Sequence, residues 1–334
     1  MLSLNNVKGS DSSWKQAMSA AITDPAQLLA YLNLAPGLLE SAKAAGKLFP
    51  LKVPLGFANR MEKGNPNDPL LRQILPLGAE LVETTGYGSD PLEEQASNPI
   101  PGLLHKYHGR VLLITAGTCA VNCRYCFRRE FPYEDNNPGS KGWDKAIEYI
   151  QNDSSITEVI LSGGDPLMLS DKPLQNLLNK IAEICHVKTL RFHTRLPVVL
   201  PERINENLIN ILEQARLQVV MVIHCNHPNE IDSQVSQALH RLKNAGISLF
   251  NQSVLLAGVN DNVDTQIALQ QKLFENNVLP YYLHLLDKVR GTAHFYVTDE
   301  AAKQIIAGMT QRLPGYLVPK LAREVPGLGS KLHL

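Results

Sequence analysis

From Val111 onward, short apolar runs alternate with longer stretches in which apolar residues recur every three or four positions. The runs are VLLITAGT, TEVILSGG, KTLRFHT, QVVMVIHC, ISLFNQSVLL and VLPYYLHLL. Each is near-continuously apolar and rich in branched residues, as expected of strands covered on both faces. The stretches between them are WDKAIEYIQN, PLQNLLNKIAEI, NENLINILEQAR, EIDSQVSQALHRLKNAG and DTQIALQQKLFENN, all with helical spacing. A further helical stretch, DEAAKQIIAGMTQRL, follows the sixth run. Alternation at about 30-residue intervals predicts βα units and a parallel sheet wrapped by helices. Six units are found where a complete barrel needs about eight. The expected fold is therefore α/β, a partial (open) TIM-type (β/α)6 barrel.

Residues 1–100 have another texture. SWKQAMSAAI and DPAQLLAYLNLA have helical spacing, NRMEKGNPNDPLLRQILP is loop followed by a short apolar segment, and the prolines of EEQASNPIPGLLHKYHGR suggest an irregular linker. The expected division is a mainly helical region at 1–100, a (β/α)6 core at 101–313 and a C-terminal segment at 314–334. The first region is expected to cap the barrel, with a homo-oligomeric interface as one use for it.

Composition narrows the function classes. The chain has 334 residues, 44% of them apolar, with 32 acidic and 32 basic side chains. A balanced charge offers no global basic field for nucleic acid or a membrane surface. MLSLNNVKGSDSSWKQAMSA lacks a charged segment followed by an apolar core, so no secretory leader is read, and no run approaches a membrane span. The reading is a cytoplasmic protein.

Of five cysteines, three lie in CAVNCRYC, just after the first strand. Without a leader, such clustering points to metal or redox chemistry and not to disulfides. Soft thiolates favour an iron–sulfur cluster, and Cys119, Cys123 and Cys126 can ligate three irons of a [4Fe–4S] cube. The fourth iron is left open, able to take the amino and carboxylate groups of S-adenosylmethionine (SAM). The competing reading is a zinc knuckle, which needs about four protein ligands. His108 or Cys185 could supply the fourth, though neither has zinc-finger spacing. Cys185 and Cys225 otherwise read as buried small hydrophobes.

The triad in a β/α array resembles the radical SAM superfamily. That resemblance implies reductive cleavage of SAM to a hydrogen-abstracting radical, in a barrel of the radical SAM type. Ser162, Gly163, Gly164, Asp165 and Pro166 resemble its second-strand motif, in which glycines let backbone approach the SAM amino group.

PGLLHKYHGRVLLITAGTCAVNCRYCFRREF resembles the lysine 2,3-aminomutase family more narrowly, as do VVLPERI, HCNHPNEI, NQSVLLAGVND, PYYLHLLD and PGLGSK. The family resemblance implies pyridoxal phosphate (PLP) on Lys331, held through the final segment. It implies that Lys106 and Arg110 meet the PLP phosphate, Lys106 standing where the family has arginine. It further implies Arg128 on the substrate α-carboxylate, and Asp287 with Glu324 on the side-chain ammonium of L-lysine. Glu324 is one methylene longer than the clostridial aspartate. Gln252, His193 and His224 match weaker positions that contact SAM or PLP. The chain stops three residues after Lys331, with no cysteine after Cys225. This is expected to mean no zinc, and it resembles the branch of the family that makes (R)-β-lysine for elongation factor P. Partners implied are a reductase or flavodoxin/ferredoxin electron donor and, functionally, the lysyl-ligase of that factor. Two rivals stand: a 2,3-aminomutase for another amino acid, and a non-catalytic iron–sulfur protein.

Overall fold

In the computed structural model of the chain, residues 11–136 and 139–334 are described. Part of the stretch examined for a leader lies outside them. All six apolar runs are strands, and the sheet has nine in sequential order. They are β1 (Leu103–Tyr107), β2 (Arg110–Ala116), β3 (Glu158–Gly163), β4 (Thr189–Thr194), β5 (Gln218–His224), β6 (Ser248–Val254), β7 (Leu279–His284), β8 (Lys320–Arg323) and β9 (Leu332–His333). From β2 to β8 all pairings are parallel, while β1 and β9 flank them antiparallel. The sheet curls without closing, so the open barrel is confirmed. It has seven parallel strands instead of the six expected, and the supposed linker contains β1.

Between strands, the helices start where the sequence places polar caps. Asn205 accepts from the Leu208 amide, Asp232 from Gln234 and Val235, and Asn262 from Thr265. Such caps satisfy amides that would otherwise face no partner. Each helix lays an apolar face on the sheet, as Leu174, Leu177, Leu178 and Ile181 do in Asp171–Ala182. In the β strands, Leu161, Phe192 and Met221 are buried, and they share one core with Trp14, Leu28, Phe57 and Leu70. That core runs across the division expected near residue 100. No described helix is long and apolar enough to cross a membrane.

Candidate active site

Parallel strands deliver their C-terminal ends to one rim, and a cavity of about 390 Å³ opens there. All sixteen candidate residues line it: Cys119, Cys123, Cys126, Arg128, Lys106, Arg110, Ser162, Gly163, Gly164, Asp165, His193, His224, Gln252, Asp287, Glu324 and Lys331.

The cysteine loop is held by side chains from the N-terminal region. Lys52 Nζ donates to the Cys119 carbonyl at 2.8 Å. Arg124 is fully buried and donates to both oxygens of Glu80, at 2.8 and 2.5 Å, and to the Phe49 carbonyl at 2.8 Å. Arg129 reaches the same carboxylate at 2.8 Å. Just after β4, Arg195 donates to Cys123 Sγ at 2.7 Å, to Gln73 at 2.6 Å and to Glu230 at 3.0 Å. Burial raises the Cys119 thiol and pushes Cys126 up to about 11. These protons therefore leave most readily when a metal replaces them. Among the described residues, no three His, Cys, Asp or Glu side chains converge on a single point. Thiols that each hold a different iron of a cube need no such convergence.

The end of β3 packs against this loop. Gly163 has φ +117°, and a Cβ there would stand 2.8 Å from the Ala116 carbonyl oxygen. At Gly164 a Cβ would stand 2.3 Å from the Thr118 oxygen. Only glycine fits. These glycines are thus required by the approach of β3 to the cysteine loop itself. Asp165 is a clasp: it accepts from the Leu167, Arg195 and Leu196 amides and from the Thr194 hydroxyl. Burial raises its carboxyl to about 6 against the pull of those hydrogen bonds.

Across the cavity runs a chain of alternating charge. Arg128 Nε and Nη2 donate to the two oxygens of Glu94, each at 2.7 Å, and Nη1 donates to the Ser162 hydroxyl at 3.2 Å. Burial opposes the Arg128 charge, but Glu94 outweighs it and raises the guanidinium pKa. Lys106 Nζ lies 3.7 Å from Glu94, 3.0 Å from Glu324 and 3.3 Å from the Leu92 carbonyl. Lys331 donates to the other Glu324 oxygen at 2.6 Å. Burial favours a neutral Glu324, yet Lys331 and Lys106 hold its carboxyl down at about 2. Asp287 has the opposite fate: enclosure, then the Glu324 charge, push it up to about 7.

Three imidazoles line the same space. Burial lowers His193 well below the ordinary histidine range, and His224 and His284 to about 3, so all three are neutral near pH 7. His193 lines the cavity, and its buried Nε2 has no hydrogen-bond partner among the described residues. Lys331 Nζ lies 5.8 Å from the Tyr282 ring, which packs against His284 and His333. Arg110 is exposed over Tyr107 and forms no ion pair among the described residues. An amine beside flat rings, with a free cation along the lining, fits a planar phosphorylated aldehyde. Three thiols in the same lining fit a cluster.

Two sequence readings need correction or addition. Cys225 is buried, but Cys185 is exposed, because its loop follows the end of the Asp171–Ala182 helix at the surface. Glu94 and Arg195 were not singled out. Glu94 lies in the proline-broken segment, where an acidic residue carries no signal of its own. Arg195 follows the HT pair at the end of β4, a place where chemistry gathers in such folds.

The profile of the Radical SAM superfamily matches residues 113–265. The chain is 50% identical to L-lysine 2,3-aminomutase of Escherichia coli (strain K12) over 96% of this chain and 94% of that protein. It is 49% identical to L-lysine 2,3-aminomutase of Haemophilus influenzae over 96% of this chain and 95% of that protein. A third L-lysine 2,3-aminomutase, from Buchnera aphidicola subsp. Baizongia pistaciae, is 46% identical over 100% of this chain and 98% of that protein.

Proposed function

Because the chain belongs to the lysine 2,3-aminomutase family of radical SAM isomerases, we propose that it moves the α-amino group of L-lysine to the β-carbon, using SAM, a [4Fe–4S] cluster and PLP. The observation that carries this reading is the layout of one cavity. The three thiols, Arg128, Asp287 and the Lys331–Glu324 pair all line it.

When bound, the cluster and SAM supply a hydrogen-abstracting radical and PLP supplies electron delocalisation. The chain's own residues do the rest. Cys119, Cys123 and Cys126 hold the metal, and the Gly163–Gly164 turn keeps that loop against β3. Lys331 offers the amine for the aldehyde. Arg110 is the cation free to meet phosphate, while Lys106 faces two carboxylates. Arg128 has five N–H donors by its chemistry. Glu94 and Ser162 engage one on Nε, one on Nη2 and one on Nη1. One donor on each terminal nitrogen remains for a substrate carboxylate. Glu324 and Asp287 meet the far ammonium, which separates lysine from a substrate with an anionic or apolar end. His193, His224 and Gln252 border the cofactors. Neutral imidazoles there add shape and hydrogen bonding without a competing charge.

The reading extends, on sequence resemblance, to an (R) product passed to the elongation factor P ligase, and to a flavodoxin- or ferredoxin-type donor for the single electron that SAM cleavage needs. The test is anaerobic turnover of L-lysine with SAM, PLP and reductant, read by chiral chromatography. Lysine should give β-lysine, with glutamate and ornithine far slower. Borohydride should trap PLP on Lys331, and Lys331→Ala should lose turnover. Full activity of Lys331→Ala, or preference for another amino acid, would overturn the assignment.

A further inference from the structure

The open sheet leaves a seam between its edges. Lys106 lies on β1 at one edge, and Glu324 directly follows β8 near the other. No backbone pairing joins β1 to β8, yet the two side chains meet at 3.0 Å. The seam is thus bridged by side chains that line the cavity. Glu94 then carries the connection onward, 3.7 Å from Lys106 and doubly bonded to Arg128.

We propose that Glu94 and Lys106 are specificity-determining positioning residues: they form an ionic strut that fixes the separation of Arg128 from Glu324, and so the length of diamino acid the cavity accepts. The inference rests on the reading that Arg128 and Glu324 grip the two ends of the substrate. Three points support it. Arg128 can present its remaining donors in only one direction, because Glu94 holds its Nε/Nη2 edge and Ser162 a third donor. Lys106 has its three donors facing Glu324, Glu94 and the Leu92 carbonyl, so it ties two acidic side chains that would otherwise repel. Both are well shielded from solvent, with side-chain exposures of 16% for Lys106 and 5% for Glu94, where screening is weak. A substrate shorter by one methylene cannot then reach both ends without breaking this chain.

The experiment measures binding of L-lysine and L-ornithine to the unreduced holoenzyme, followed by the change in PLP absorbance, with the KM and kcat of each as a second readout. Glu94→Gln removes the charge that orients Arg128, and Lys106→Met removes the bridge. In each, the lysine-to-ornithine affinity ratio should fall by roughly threefold or more, the loss appearing in KM and not in kcat. Glu94→Asp, which keeps the charge, should recover part of the ratio. Iron content and circular dichroism report folding; if Glu94→Gln does not fold, Lys106→Met decides alone. A ratio that stays within about threefold of wild type in a folded variant overturns the strut. Wild-type protein that binds no lysine overturns the substrate reading beneath it, which distinguishes the two failures.

Discussion

Asp287 and Glu324 share one cavity and carry opposite protonation. Glu324 has two ammonium groups on it and stays ionised, while Asp287 takes the penalty of enclosure and of its neighbour's charge. A carboxyl raised from 3.8 to about 7 keeps its proton in the folded protein over a window where the unfolded chain has lost it. Its contribution to stability is therefore fully present below about pH 4 and lost as pH rises through about 7. Asp287→Asn should remove that dependence, so the variant gains stability relative to wild type between those limits in pH-resolved thermal melts. Binding follows the same titration. An ammonium prefers the ionised form, so lysine affinity should rise by up to about tenfold per unit as pH approaches 7, then level off. The same titration with Asp287→Asn should be flat. A pH-independent affinity in wild type would show that Asp287 does not meet the ammonium.

At the scale of elements, the cysteine loop is where the two halves of the chain are stitched together. Glu80 receives Arg124 and Arg129, which flank the third cysteine. Removing one partner of a buried pair leaves an uncompensated charge, at a cost of about 3–5 kcal/mol. Glu80→Gln should therefore loosen the loop, lowering iron and sulfide per chain and shifting the cluster absorbance after anaerobic reconstitution; unchanged iron content would remove Glu80 from this role. Much of the scaffold was legible beforehand. Strands β2 to β5 are apolar runs largely buried on both faces, while β6 alternates and β7 is mostly half-buried; all six still announce themselves as apolar runs between helical stretches. Strands β1 and β8 did not, because LLHKY and KLAR are short elements, at and next to the sheet's two edges, with about half their residues polar. The cysteines were readable from spacing and place. Lys331 and Glu324 were not readable from pattern: a lysine near a chain end looks solvated, and only the family resemblance singled it out. Glu94 was hidden for a physical reason, since its importance lies in a contact with Arg128, 34 positions away, that no local periodicity encodes.

At the scale of the molecule, the N-terminal residues are part of the site's construction. They supply Lys52, Gln73, Glu80 and Glu94 to the cysteine loop and its neighbours, and their apolar side chains share the barrel's core. A ligand that binds only the folded state stabilises everything that folds with it. If the cap and barrel form one cooperative unit, stripping the iron anaerobically should lower a single thermal transition, on the order of 5 °C, without splitting it. The Arg195 contact with Cys123 and the Lys52 contact with Cys119 draw residues from both regions onto the metal ligands, so loss of the cluster weakens both together. Differential scanning calorimetry of reconstituted and chelated protein makes the comparison. Two separate transitions in the chelated protein, with only the lower one sensitive to iron, would show instead that the N-terminal region folds on its own and merely leans on the barrel. The shared core argues against that outcome, because Trp14 and Phe57 would then have to leave a cluster they share with the barrel's strands, and the Arg203 and Arg195 guanidiniums that pack on their rings.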